Sequence, residues 1–154
     1  MKLTHINSDG EANMVDVSGR EITVRTATAT GKVRLSESVL KAIAEKNAPK
    51  GDVLATARIA GIQGAKKTSE LIPLCHPIAL HKIEIELTPD SNGVSIKAVV
   101  KTADRTGVEM EALTAVSVAG LTLIDMIKSM DPYASIENIQ VDSKAGGRNG
   151  DWAR

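Results

Sequence analysis

Alternation of apolar and polar positions marks several strands along the chain. Residues 22–30 are rich in β-branched side chains and partly alternate, and residues 81–87 alternate strictly, as expected for strands with one buried face. A turn at 89–93 separates the second run from the apolar residues 94–100, which predicts a hairpin. A last strand is predicted over about 136–141.

Apolar positions spaced three to four residues apart mark the helices. Residues 36–47 and 53–71 predict two helices, separated by the break at Pro49-Lys50-Gly51. Residues 107–128 contain no proline, and residues 112–124 carry no charge, which together predict one long buried helix. When the short first helix is set aside, the element order is βαββαβ. This order predicts the α+β class, with a ferredoxin-like antiparallel sheet and its helices packed on one face.

The length of the chain predicts one domain over residues 1–154. Residues 1–20 are polar and contain glycine, so we expect a flexible arm there, and residues 143–154 form a glycine-rich tail. No apolar run is expected to reach the length of a membrane span, and the first ten residues lack the apolar core of a signal peptide. We therefore expect a cytoplasmic protein without a membrane partner.

Composition changes this picture in three ways. The chain has no Phe, one Trp and one Tyr, so its core is built from aliphatic residues, alanine and methionine, and we expect subunit contacts to add stability. Its 19 basic residues balance 19 acidic ones, and this zero net charge argues against a nucleic-acid partner. The single cysteine, Cys75, excludes an internal disulfide and is typical of a reducing compartment.

Asp125 and Lys128 stand at the end of the long apolar helix, three residues apart and therefore on one face. One interpretation is an ordinary ion pair where the helix returns to water, which contributes only about 0.2–0.5 kcal/mol. The other is an acid–base pair that shares one proton-transfer site. The pair alone does not decide between them.

Several cations stand beside glycines or polar residues, where backbone N–H groups can approach an anion. Together they would suit a polyphosphate, although each alone is equally typical of a solvated surface. The residues are Lys50, the Lys66-Lys67 pair, Lys144 and Arg148. Residues 61–68 have the glycines and lysines of a P-loop, but no lysine directly follows the second glycine and the segment predicts helix.

Pro73 and Pro77 enclose a stiff segment that contains Cys75 and His76. A histidine held in such a segment is pre-positioned and can carry a proton near neutral pH. Cys75 is either a nucleophile or a small packed residue, and no local signature supports the nucleophile. The histidine spacing and the lone cysteine do not suggest a zinc site, so we expect no metal ligands.

Glu109 and Glu111 open the long helix, where carboxylates favour the helix dipole. They could also bind a substrate or, less readily, a hard metal ion. Glu111 and Asp125 are 14 residues apart and face the same way, but a straight helix separates them by about 21 Å. If both act on one small ligand, two chains must build that site.

Longer motifs then carry a family resemblance. The chain contains, in order, MVDVS at 14–18, KGD at 50–52, ATARIAGIQ at 55–63, LIPLCHP at 71–77 and TGVEMEALTA at 106–115, followed by Asp125-Met126 with Lys128, by Gly146-Gly147 and by GDW at 150–152. Over nearly its whole length it resembles the MoaC family, the cyclic pyranopterin monophosphate synthases of molybdenum cofactor biosynthesis.

The resemblance implies a ferredoxin-like subunit in a homohexamer, a trimer of dimers with active sites at the dimer interface. It implies conversion of 3′,8-cyclo-7,8-dihydro-GTP, a small-molecule triphosphate, to cyclic pyranopterin monophosphate with release of pyrophosphate. The resemblance implies that the reaction requires no cofactor, and it leaves open whether Mg²⁺ accompanies the triphosphate.

The resemblance also implies the roles of individual residues. Asp125 and Lys128 match the catalytic pair, with Lys128 as general acid or base and Asp125 orienting it or exchanging protons with it. The other matching positions bind substrate, Met110 through its backbone, and the basic ones anchor the triphosphate: Lys50, Lys66, Cys75, His76, Glu109, Met110, Glu111, Lys144 and Arg148.

Two rival classes remain at this point. A non-catalytic ferredoxin-like module for ligand binding or oligomerisation would explain the element order but neither the Asp125–Lys128 pair nor His76. A nucleotide hydrolase would need a metal cluster or a P-loop, and the sequence suggests neither. The linker at 129–135 contains Pro132, which departs from the expected family pattern and leaves its loop geometry open.

Overall fold

Four long strands form one antiparallel sheet in the computed structural model, which describes residues 4–154. The strands are β1 (Thr23–Arg34), β2 (Lys82–Asp90), β3 (Gly93–Asp104) and β4 (Ser135–Ala145), with a short β5 (Trp152–Ala153) at the edge. Their order in the sheet is β2-β3-β1-β4-β5. This confirms the predicted ferredoxin-like α+β arrangement.

The helices are α1 (Glu37–Ala44), α2 (Val53–Lys66), the single turn α3 (Thr68–Leu71) and the 19-residue α4 (Glu109–Ile127). The predicted helix over 53–71 is therefore interrupted, because Lys67 leaves helical geometry at φ −102° and ψ 9°. The long strands extend beyond their predicted ends, and β4 includes the first part of the predicted glycine-rich tail.

Helix α4 forms the centre of the core. It packs on β1, β3 and β4 on one side and on α2 on another. Its buried face is made mostly of small and aliphatic residues, including Ala112, Ala115, Val116, Ala119 and Leu123. A core without phenylalanine is possible because these small side chains let the layers approach closely.

Two glycines of α2 show how close this approach is. A Cβ on Gly61 would lie 2.9 Å from the carbonyl oxygen of Ala115, and one on Gly64 would lie 2.7 Å from a methyl group of Val118. The two helices can pack in this geometry only because these positions carry no side chain. Close helix packing therefore fixes the distance between the segments that precede α2 and follow α4.

The expectation that no apolar segment reaches the length of a membrane span is wrong for α4. Among the described residues, this helix is long and apolar enough by length and composition. More than half of the residues in the apolar stretch are buried inside the protein. The same composition suits a helix that is surrounded by its own core.

Asp131 fixes the conformation of the linker that contains Pro132 through two hydrogen bonds. Its carboxylate accepts a hydrogen bond from the backbone N–H of Ser36 at 2.8 Å and another from Tyr133 at 3.0 Å. The first bond lowers the pKa of Asp131 most, and burial opposes it. The proline thus stands in a turn tied to the start of α1.

Candidate active site

A cleft of about 800 Å³ opens beside the N-terminal end of α4. Its walls come from the N-terminal arm, the start of β1, the proline-enclosed segment, the start of α4 and the glycine tail after β4. It collects seven of the eleven residues that the sequence singled out: Cys75, His76, Glu109, Met110, Glu111, Lys144 and Arg148.

Glu109 and Lys144 pair across this cleft. The Nζ of Lys144 lies 3.3 Å from Oε1 of Glu109, and the two side chains are only 18% and 30% exposed. Lys144 is on β4 opposite Ala27 of β1, whereas Glu109 is the first residue of α4. The pair therefore joins the sheet to the helix and leaves other Lys144 donors free for an anion.

Glu111 is the most deeply placed carboxyl group of the cleft, with only 3% of the residue exposed. Burial raises its pKa most, its own backbone N–H lowers it, and the negative charge of Glu109 raises it further, to about 7. No described side chain donates a hydrogen bond to this carboxyl group. Glu111 can therefore exchange a proton near neutral pH.

Cys75 lies in the same wall. Burial raises the pKa of its thiol, and the charge of Glu111 raises it further. The thiolate is the reactive form of cysteine, so this environment favours an unreactive thiol. Of the two interpretations from sequence, packing suits the surroundings of Cys75 better than nucleophilic attack.

His76 is directed toward the N-terminal arm. Its Nε2 lies 2.6 Å from the carbonyl oxygen of Val15. A carbonyl oxygen can only accept, so Nε2 carries the proton and donates it. The Nδ1 atom makes no hydrogen bond to a described residue and is the nitrogen left for a ligand.

Arg25 was missed by the sequence analysis. It lies near the start of β1 and lines the cleft, and its Nε donates a hydrogen bond of 3.0 Å to the carbonyl oxygen of Asp104. Its guanidinium packs against Gly147, where a Cβ would collide with it. The only signal in the sequence was an arginine within a threonine-rich strand, which is also typical of an exposed strand position.

Three of the other predicted residues form a second cluster at the far end of α4. The Asp125 carboxylate lies 2.9 Å from Nζ of Lys50 and 2.8 Å from Nζ of Lys128. The hydrogen bond from Lys128, followed by that from Lys50, lowers the pKa of Asp125 to about 2. At neutral pH Asp125 is therefore an anion that can orient two ammonium groups.

Asp125 and Lys128 lie at the surface, as the ion-pair interpretation of the sequence expected. The side chains of Asp125 and Lys128 are 54% and 60% exposed because α4 ends at Ile127 and returns to water there. By the rise of an α-helix, about 21 Å separates Asp125 from Glu111. The chain therefore carries two groups of candidate residues at opposite ends of one helix.

Lys66 belongs to neither group. It is the exposed last residue of α2 and does not line the cleft. In the part of the chain that the structure describes, no group of three or more His, Cys, Asp or Glu residues is close enough to hold a metal ion. The expectation of a site without metal ligands stays a prediction.

The fold and the cleft define a ferredoxin-like α+β protein with a pocket lined by both basic and acidic side chains. The family model described as MoaC family matches residues 14–147. A Streptomyces avermitilis protein named cyclic pyranopterin monophosphate synthase is 56% identical over 153 residues, which cover 99% of this chain and 90% of that protein. Proteins of the same name from Corynebacterium glutamicum strain R and Nostoc are each 55% identical over 152 residues, which cover 99% and 97% of this chain and 97% and 90% of those proteins. The chain belongs to the MoaC family.

Proposed function

We propose that this chain is a cyclic pyranopterin monophosphate synthase of molybdenum cofactor biosynthesis. It would convert 3′,8-cyclo-7,8-dihydro-GTP to cyclic pyranopterin monophosphate and release pyrophosphate. The family match and the names of the full-length relatives support this proposal. The residues of the cleft support it independently, because they combine cations for phosphates with carboxyl groups for a nitrogen-rich ring.

The triphosphate requires positive anchors. Lys144, Arg148 and Arg25 line one side of the cleft, next to Gly146 and Gly147. Both glycines adopt positive φ values, 86° and 87°, which turn the backbone sharply beside these cations. Backbone N–H groups and fixed cations at such a turn suit a phosphate group.

The ring chemistry requires proton transfers while the guanine-derived ring opens and is rebuilt. Closing the cyclic phosphate forms a bond from the α-phosphorus to a sugar-derived hydroxyl group and breaks the bond to pyrophosphate. We assign Lys128 as general acid or base and Asp125 as the group that orients it. Cys75, His76, Glu109, Met110 and Glu111 would surround the ring and sugar, with Met110 acting through its backbone.

The position of the two groups at opposite ends of α4 is the observation that carries the assembly part of this proposal. Lys50, Asp125 and Lys128 cannot reach a small ligand in the cleft of their own chain. A second copy of the chain would bring its Lys50–Asp125–Lys128 cluster to the cleft. We therefore propose active sites at a dimer interface, within a homohexamer built as a trimer of dimers.

Lys66 is exposed and lies outside the cleft of its own chain. It could contact the substrate only if a second copy of the chain brought it to the cleft. We propose that the protein acts in the cytoplasm and needs no resident cofactor. Whether Mg²⁺ assists the triphosphate is decided by comparing turnover in EDTA with turnover in added magnesium.

The test is to incubate the purified protein with enzymatically prepared 3′,8-cyclo-7,8-dihydro-GTP. Pyrophosphate is measured together with the pterin product, which fluoresces after oxidation. Formation of both in equal amounts is the expected result. A folded oligomer that binds the substrate but forms neither product would contradict the proposal and favour a binding module.

A further inference from the structure

The N-terminal arm forms one wall of the cleft. The arm, residues 4–20 in the described structure, contributes Thr4, His5, Val15, Val17 and Arg20 to the cleft lining. The sequence had suggested a polar, flexible arm. The cleft therefore has its full depth only while the arm lies across it.

The arm is held to the rest of the subunit by few interactions. Most of its side chains are exposed, and it has one internal β-bridge, between Ile6 and Ala12. Among the described residues, two hydrogen bonds join it to the rest of the protein. One is the bond from His76 to Val15, and the other runs 3.1 Å from Nε of Arg105 to the carbonyl oxygen of Arg20. Segments with so little burial are the first to open in a folded protein.

His76 is well suited to hold such a segment. Pro73 and Pro77 restrict the backbone on both sides of it, so the imidazole is presented from a stiff wall. Nε2 donates to the Val15 carbonyl in the Nε2–H tautomer and in the imidazolium ion alike. The hydrogen bond is thus compatible with both protonation states of the ring.

We propose that His76 is a positioning residue that holds the N-terminal arm across the cleft through its hydrogen bond to Val15. Its Nε2 is occupied by the arm, which leaves Nδ1 for the substrate, so the side chain also completes the wall behind the substrate. The structural part of this inference stands without the proposed function. Only its kinetic consequence rests on the proposed reaction.

The first experiment measures amide hydrogen exchange of the substrate-free protein by mass spectrometry. Within residues 14–20 the hydrogen-bonded amides are those of Ser18 and Arg20. His76→Ala should raise their exchange rates by about three- to tenfold, the effect of losing one hydrogen bond. His76→Gln retains a side-chain N–H donor and should recover part of the protection. His81→Gln is the matched control, because His81 accepts a bond from Ala103 on β3 and does not line the cleft.

Arg105→Ala keeps the test informative if His76→Ala fails to fold. It should raise exchange of the Arg20 amide more than that of Ser18, because the two hydrogen bonds hold different parts of the arm. Unchanged exchange of the Ser18 and Arg20 amides in folded His76→Ala would overturn the inference. An equal rise in His81→Gln would overturn it as well, because the effect would then not be specific to the arm.

Steady-state kinetics supply the second readout. Loss of the arm contact should raise KM by several-fold and lower kcat less, with partial recovery in His76→Gln. An equal collapse of kcat in both variants, with normal arm protection, would show that His76 acts on the substrate directly. Because arm exchange is measured without substrate, this outcome is distinct from failure of the proposed reaction.

Discussion

The Nζ of Lys50 lies 2.9 Å from Oδ2 of Asp125, although the two residues are 75 positions apart in the chain. This contact ties the loop before α2 to the end of α4 and places a second ammonium group beside the Asp125–Lys128 pair. An ordinary i,i+3 ion pair would need no third member. The pair is therefore part of a three-residue cluster, and its acid–base role stays a prediction.

Lys128→Ala should leave a folded oligomer and reduce kcat by about a hundredfold or more, the effect of losing a general acid or base. The fold should persist because the Lys128 side chain is 60% exposed. Lys41→Ala is the matched control, since Lys41 is an exposed lysine in a weaker pair with Glu45 at 3.9 Å. Normal turnover of Lys128→Ala would contradict its assigned role.

Mixed oligomers should test whether two chains build one site. Glu111→Ala and Asp125→Ala are each expected to be inactive alone, because each removes one half of the proposed site. Mixing the two by refolding or co-expression should restore part of the activity, since some interfaces then combine two intact halves. Differently tagged chains would prove that mixed oligomers had formed. No recovery in them would exclude a shared site.

Glu111 should make stability depend on pH. Its pKa is about 7 in the folded protein against 4.5 for an ordinary glutamate, so its contribution to stability is fully present below about pH 4.5 and is lost as pH rises through 7. Above pH 7 the charged form costs at most about 3 kcal/mol, less where cleft water reaches the carboxyl group.

Glu111→Gln removes this cost, so its melting temperature should match the wild type near pH 4.5 and exceed it at pH 8, by up to roughly 10 °C. Both proteins must be compared at one concentration because they are expected to be oligomers. Glu109→Gln is the control, because Glu109 is partly exposed and paired with Lys144. A Glu111→Gln variant without any gain at pH 8 would exclude the raised pKa.

Gly61→Ala should destabilise the protein by about 1–3 kcal/mol, the usual cost of overpacking. The added methyl group would meet the Ala115 carbonyl oxygen at 2.9 Å, and a backbone atom cannot move aside cheaply. Gly120→Ala is the matched helical control, because its Cβ would approach side-chain atoms of Ile136, the nearest at 3.3 Å, and no backbone atom among its three nearest neighbours. Equal urea midpoints for the two variants would contradict the close packing of α2 on α4.

The local patterns of the chain predicted most of the fold. Strict alternation at 81–87 and the turn at 89–93 gave the β2–β3 hairpin, and the uncharged run at 112–124 gave α4. The interruption of the predicted helix at Lys67 could not be predicted, because no proline or glycine stands there to break the pattern. Strand ends were underestimated because pairing with neighbours, which no single segment reveals, extends each strand.

Most of the predicted site residues had a visible local reason, such as a neighbouring proline, glycine or opposite charge, and Met110 was implied by the family resemblance alone. Arg25 had no such reason and the N-terminal arm had only the motif at 14–18, and both entered the cleft through contacts with distant segments. The exposure of Asp125 and Lys128 also depended on where α4 ends relative to the layers around it. Such relations depend on packing between elements rather than on spacing within one.

The sequence by itself determined the order of elements, the residue types available for chemistry, and the 14-residue spacing that separates Glu111 from Asp125 on one helix. Tertiary structure alone decided that Lys50 joins Asp125, that Glu111 is buried beside Cys75, and that His76 holds the arm. The physical reason is the sequence distance over which each interaction acts. Helical and strand periods act over a few residues, whereas desolvation and hydrogen bonding in a cleft depend on segments that meet only after folding.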